Sequence, residues 1–416
     1  MATIAPTGVE PQVERGRWTM FSALRYRNYR YYWLAQFPSV LAQNMQHVAL
    51  AWLVYQLTSS PAMLGLAGLM QTVPNIALTF VGGAVADRVD RRRLLITTQV
   101  AQAGLFLVLG TLAVTELVQI WQALGIAFLL GCVRSFDSPT RYALLPALVP
   151  AEEIPNAVPL GNLVWNGTRL VGPAAAGMLI YLVDIGVTFY VAAASFLLAV
   201  TLFSQVRVAA RDDAIERKSI ARNMLDGIAY IRGNQLVLTI IGLVFFNSVF
   251  GMSFTIMLPV FARDILQVGS QGLGFLESAG AVGSTVGTFA VAALSHKRGH
   301  GWRMLGGAAI FGVLIIAFAY SPYFALSLGL LFCMGFANQV YMTVAATNLQ
   351  LTLSNEFRGR VMSIWGLNWN LMPLGGAIAG GIAQYAGAPF ALALGGALVT
   401  LMAVVVSVAM PRVRRL

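Results

Sequence analysis

Charged side chains are scarce in this chain, so the few that interrupt its apolar runs are where chemistry has to be sought. Arg169 stands in the middle of such a run. A guanidinium at the centre of a bilayer costs about 2.5–3.5 kcal/mol to insert, so it must face a water-filled cavity or a carboxylate. Glu277 lies inside a second apolar run, and Asp137 lies at the end of a third. A buried carboxyl such as Glu277 can carry a proton; the same residues can equally form a static ion pair. Gln36, Gln43, Asn44 and His47 recur at steps of seven and then three or four, which puts them on one helical face. Amides are unfavourable in lipid, so this face looks inward, toward a ligand or toward hydrogen bonds with other helices. His47 can titrate, although a single histidine also serves to satisfy a neighbour. Asn166, Asn338, Gln339, Asn368 and Asn370 form a similar polar set. With Trp165, Trp365 and Trp369 they can line a pocket for a large amphipathic ligand, or the indoles can pack and face lipid.

Other chemistries leave no trace. The chain has no phosphate-binding glycine loop ending in Lys-Ser or Lys-Thr and no His-Glu-x-x-His pair. No serine sits in a recognisable nucleophile motif. Cys132 and Cys333 lie inside apolar runs, and His47, His296 and His300 are scattered, so neither disulfide framework nor metal site is implied. The expectation is no catalytic residue, no cofactor, no metal and no enzyme. The net charge of +11 is not a nucleic-acid signal, because no polar face exists to carry a basic patch.

The elements that position these residues are membrane helices. Of 416 residues, 58% are hydrophobic and 10% charged, against about 25% charged in a soluble domain. Too few charges remain to coat a water-facing surface. Runs of about 20 apolar residues suffice to cross the hydrocarbon core, and they predict spans at 31–57, 62–86, 94–115, 117–137, 156–183, 186–206, 233–262, 271–295, 304–321, 323–347, 360–386 and 389–411. Tyr320-Ser321-Pro322-Tyr323 and Gly387-Ala388-Pro389 divide two long uncharged stretches. Residues 1–20 have no apolar core of a secretory signal. With the N-terminus inside, all but Arg169 and Arg263 of the 27 Lys and Arg fall on cytoplasmic segments, Arg134 and Arg141 counting in the region between spans four and five. The fold class is therefore an all-α polytopic membrane protein with twelve transmembrane helices and both termini cytoplasmic.

The halves repeat. Leu64-Gly65 and Thr79-Phe80 recur as Leu273-Gly274 and Thr288-Phe289; Trp165-Asn166, Gly172 and Gly177 recur as Trp369-Asn370, Gly376 and Gly381. Two pseudo-symmetric six-helix bundles follow, 1–206 and 233–416, joined by a cytoplasmic linker at 207–232 with an amphipathic helix on the membrane surface. Repeated halves put a binding site at their interface.

Two motifs remain. Gly83-Ala84-Val85-Ala86-Asp87-Arg88-Val89-Asp90-Arg91-Arg92-Arg93 joins spans two and three. Gly83 admits a close helix, Asp87 suits a helix N-terminus, and Arg88, Arg91 and Arg92 can pair with Asp87 or lipid phosphate. An ordinary positive-inside loop reads the same way. In span five, Gly172, Ala176 and Gly177 make a flat packing face, and Pro173 weakens the helix locally.

The first motif resembles the signature loop of the major facilitator superfamily, with Asp90 where the superfamily usually has Gly. Leu24-Arg25-Tyr26-Arg27-Asn28-Tyr29-Arg30, Leu57-Thr58-Ser59-Ser60-Pro61 and Phe136-Asp137-Ser138-Pro139-Thr140-Arg141 resemble its enterobactin-exporter and macrolide-efflux branch. Gly172-Pro173 and Gly177 resemble the motif of its export-type members. The resemblance implies alternating access powered by protons, a cytoplasmic gate at Asp87 and Arg88, and abutting spans five and eight. That contact makes Glu277 the partner of Arg169, with Asp137 the alternative. In the second half His296 and Lys297 occupy the gate positions. The resemblance further implies a monomer in the cell inner membrane, exporting a small hydrophobic or amphipathic compound of drug or siderophore class in exchange for protons. An importer or facilitator on the same fold is the alternative; a sensor or membrane enzyme lacks any supporting constellation.

Overall fold

The structure, a computed structural model, describes residues 19–207, 220–294 and 300–414. The N-terminal tail, the charged linker stretch from Arg211 to Lys218, and His296 and Lys297 lie outside the described residues.

No strand occurs among the described residues. The first half consists of α1 (Arg27–Thr58), α2 (Pro61–Arg88), α3 (Arg91–Val114), α4 (Ile120–Leu144), α5 (Ile154–Leu182) and α6 (Ile185–Phe203). After α7 (Ile220–Gly233) come α8 (Gln235–Phe246), α9 (Phe254–Val260), α10 (Gly269–Leu294), α11 (His300–Ala319), α12 (Phe324–Thr352), α13 (Asn355–Gly366), α14 (Asn368–Ala386), α15 (Ala388–Ala409) and the short α16 (Pro411–Arg414). Local chemistry sets the ends. Ser60 caps α2 with Pro61 in its first turn. Asp184 caps α6 through the Gly186 N–H at 2.6 Å, and Asn234 caps α8. Gly387 joins α14 to α15 at φ +86°, a conformation glycine adopts without strain.

Eight of these segments are long and apolar enough to cross a membrane: the first part of α2, then α3, α4, α6, the stretch Gln235–Ile265, α11, α12 and α15. The other long helices, α1, α5, α10 and α14, are less apolar, and all four line the central cavity described below. On α1, α5 and α10 part of that polarity faces inward, since Gln36, Asn44, Arg169 and Glu277 line the cavity. Large apolar side chains such as Phe37, Val108, Leu198 and Val405 are exposed around the outside, where they suit lipid.

Two expected spans are interrupted. The span expected at 233–262 holds π-helical turns at Asn247–Gly251 and Phe261–Ile265 on either side of α9. Such turns often mark functional positions. The span expected at 360–386 breaks between α13 and α14. The linker helix α7, expected on the membrane surface, is seated on α13. Asp226 pairs with Arg360 at 3.3 Å, Tyr230 stacks on Phe357 with centroids 4.4 Å apart, and Gly227 lies against Ile364.

The apolar core is not continuous from end to end. One large cluster joins both halves, from Val48 and Leu53 to Phe254, Leu273 and Ala379. Two separate clusters serve the other end: one around Tyr29, Leu95 and Phe203, the other around Ile240, Tyr341 and Val361. The halves therefore share a core at the C-terminal end of α1 and part at its N-terminal end.

Candidate functional site

Where the halves part they enclose a cavity of about 790 Å³. It is lined by helical stripes. On α5 the lining residues are Ile154, Val158, Gly161, Asn162, Trp165, Arg169 and Pro173, at the steps of three and four that share a helix face. On α4 they are Arg134, Ser138, Arg141 and Tyr142. The α5 stripe runs from the first residue of α5, at the open end, to Arg169, a rise of about 22 Å.

The sealed end is built by glycines, two of which, Gly65 and Gly274, occupy matching positions in the internal repeat. A Cβ on Gly65 of α2 would meet the Ala377 Cα of α14 at 2.5 Å, and a Cβ on Gly274 of α10 would meet the Pro173 O of α5 at 2.5 Å. Gly380 lies against the Pro61 carbonyl, and Gly177 against the Ser270 carbonyl. Each pair brings one helix of one half into backbone contact with the other half, which only glycine permits. Polar groups latch the same end: the Tyr55 hydroxyl donates to Asp264, and Arg263 donates to the Tyr55 carbonyl at 2.9 Å and to the Ser59 hydroxyl at 3.2 Å.

Arg169 and Glu277 both face the cavity, one from each half, and their charges act on each other. They make no direct ion pair within 4 Å. Asp137, the alternative partner for Arg169, is buried and committed to Arg141, which donates to it at 2.7 Å; Gln99 and Thr98 also donate to it, at 2.6 and 3.0 Å. His47 faces the cavity near Arg134 and Arg169. Of the polar side chains expected to face inward, Gln36, Asn44 and Asn338 line the cavity. Gln43 is buried and accepts from Arg134 at 3.4 Å. Gln339 donates to Thr343 at 3.1 Å, and Asn166 and Asn370 face away from the cavity, whereas their neighbours Trp165 and Trp369 line it.

Two wall residues escaped the sequence reading. Arg134 and Arg141, taken as loop charges, lie within α4 and face inward. The spacing of Arg134, Ser138, Arg141 and Tyr142 along one face was the available signal; Arg134 falls inside the span expected at 117–137, and Arg141 lies beyond its expected end, whereas α4 continues to Leu144.

The motif loop is also redistributed. Gly83, expected to admit a close helix, has open space where its Cβ would sit; Gly82 is the residue pressed on the Ser135 carbonyl of α4. Asp87 lies in the last turn of α2, and its side chain is outside the described part. The helix N-terminus is served instead by Asp90, whose carboxylate accepts from the Arg92 and Arg93 N–H groups at 2.9 and 3.1 Å. Its φ of −58° needs no glycine. Arg91 donates to the Ala143 carbonyl at 3.0 Å, and Arg92 to Phe203 at 3.4 Å and to Ser204, so both cap helix C-termini. Gly172 packs on Asn44 of α1, inside its own half.

Two helical halves joined along one seam around a mainly apolar cavity that also carries charged groups have the architecture of a membrane transporter. In fold the chain is similar to the crystal structure of a bacterial homolog of the human lysosomal transporter Spinster, with TM-score 0.72, 14% identity and 95% and 96% of the two chains covered. In sequence it is similar to the staphyloferrin A transporter of Staphylococcus aureus, 23% identical over 83% of this chain and 87% of that one. It is likewise similar to the multidrug efflux pump Tap of Mycolicibacterium fortuitum, 26% identical over 89% and 92%. The profile of transmembrane secretion effectors, within the major facilitator superfamily, matches residues 18–415, and the chain belongs to that family.

Proposed function

We propose that this protein is a secondary active exporter of a small amphipathic compound, working by alternating access in exchange for protons. The observation that carries the reading is the seam: a cavity between two halves, sealed at one end by repeated glycine contacts, with separate cores at the other. Rocking about such a cavity exposes it to one side at a time. Twelve spans cross the inner membrane with both termini cytoplasmic, residues 1–206 and 233–416 forming the halves and 207–232 the linker. The open end then faces the cytoplasm. In this scheme the chain works as a monomer, and Glu277 carries the proton opposite Arg169. Gly83, Asp87, Arg88, Arg91 and Arg92 act when the cytoplasmic end closes. Gly172, Pro173 and Gly177 form the packing surface about which α5 tilts.

Everted vesicles with and without the protein, assayed with a panel of labelled amphipathic compounds, test the reading. Uptake of at least one compound that depends on the protein and stops when the proton gradient is collapsed is the expected result. Uptake indifferent to the gradient would remove proton exchange, and movement of every compound in the opposite sense would remove export.

A further inference from the structure

The two walls of the cavity differ in charge and in greasiness. The first half contributes three guanidinium groups, Arg134, Arg141 and Arg169, together with His47. Asp137 pairs directly with Arg141, whose buried Nη1 still has no hydrogen-bond partner among the described residues, and its charge also acts on Arg134. Arg134 reaches only the neutral Gln43 amide. Arg169 makes neither a hydrogen bond nor an ion pair among the described residues. The second half offers one carboxylate, Glu277, the neutral Thr255, Ser284 and Asn338, and a mainly apolar surface including Met252, Phe254, Phe311 and Met334. With Asp137 and Glu277 both ionised, the arginines still exceed the carboxylates by one. An excess positive charge on the wall of a cleft draws anions into it.

We infer that the cargo is an amphipathic organic anion, its carboxylate or equivalent acidic head held by Arg134 and Arg169 on the first half and its apolar body lying on the methionine and phenylalanine wall of the second. Guanidinium groups bind planar oxyanions in forked geometry. Thioether side chains adapt to varied apolar shapes, and a volume of about 790 Å³ is that of a small-molecule site. A cationic compound would meet the uncompensated positive charge. The inference rests on the transport reading only in taking the cavity for the cargo site.

Three probes of one shape and different charge test it: 1-pyrenebutyrate, 1-pyrenebutanol and 1-pyrenebutylamine. Binding is read by energy transfer from Trp165 and Trp369, which line the cavity, in phosphatidylcholine nanodiscs that supply no anionic lipid headgroup, with empty nanodiscs as background. The acid binds saturably and about tenfold or more tighter than the alcohol, as expected for a charge-assisted hydrogen bond, and the amine binds weakest. Arg169→Gln and Arg134→Gln each remove most of the acid's advantage while alcohol binding persists. Amine binding as tight as acid binding in the wild-type protein overturns the inference, without reliance on any variant. So does acid binding unchanged in variants that still bind the alcohol. Proteoliposomes separate this from the export reading. Acid held by the arginines with no probe transported leaves the anion site standing and removes export; transport of the alcohol or amine with the acid ignored does the reverse.

Discussion

Gly274→Ala is the sharpest test of the seam. A Cβ at this position would lie 2.5 Å from the Pro173 O and 3.0 Å from the Ala174 Cα. Both are backbone atoms of the opposite half, so no side chain can turn aside; α5 and α10 must separate. Overpacking of this kind costs about 1–3 kcal/mol. The cost falls only on the conformation in which this end is closed, because parting the halves there removes the clash. The population therefore shifts toward opening at the sealed end by about 5- to 150-fold. Gly65→Ala, which sets a Cβ 2.5 Å from the Ala377 Cα, shifts it in the same direction. Spin labels at Tyr181 and Tyr323, both exposed at that end on opposite halves, report the change as a longer interspin distance by pulsed electron resonance, with Cys132 and Cys333 replaced by serine. Gly125→Ala is the control, since its Cβ meets nothing within 4 Å. An unchanged distance distribution in folded Gly274→Ala and Gly65→Ala proteins would show that these contacts do not hold the seam.

Asp137→Asn strands the buried Arg141 guanidinium, whose side chain is 7% exposed, and lowers stability by about 3–5 kcal/mol; Asp137→Asn combined with Arg141→Leu is less destabilised than the single variant, as read by thermal unfolding in detergent. Glu153 accepts from Ser22 and Asn156, and these bonds hold its carboxyl below the usual glutamate range. A carboxyl whose folded value is depressed contributes stability that is present above the unfolded value, about 4.3, and lost as pH falls through the folded value. Hydrogen exchange of the segment Thr19–Arg25 beyond its intrinsic pH dependence is accordingly flat from pH 8 to 5 and rises only below that, whereas Glu153→Gln raises it at all pH values.

Much of the fold is legible in the sequence because a bilayer imposes simple rules. Lengths of uncharged chain specify helices, and Pro322 and Gly387 mark real breaks because proline and a glycine at positive φ end helices locally. The repeat is legible for a related reason. Gly65 and Gly274 occupy matching positions in the two halves, and backbone contact at both tolerates no side chain. The π-helical turns around α9 and the break before α14 left no comparable signal, because glycines such as Gly251 and Gly366, which stand at these points, look the same in the sequence as glycines inside continuous helices such as Gly161 of α5.

What the sequence by itself determined is which residues are too polar for lipid: Arg169, Glu277, Asn44, His47 and Asn338 had to face inward somewhere. Which of them share a wall was decided only by the tertiary structure. One residue along a helix is a turn of about 100°, so Trp165 lines the cavity while Asn166 does not, and Gly82 packs where Gly83 was expected. Arg134, near the end of the expected fourth span, and Arg141, beyond it, fit a loop or a wall equally by sequence; α4 runs to Leu144 and puts both in the wall. Helical periodicity fixes relative angles within one helix; the angle of the whole helix toward its neighbours comes from contacts between residues far apart in the chain.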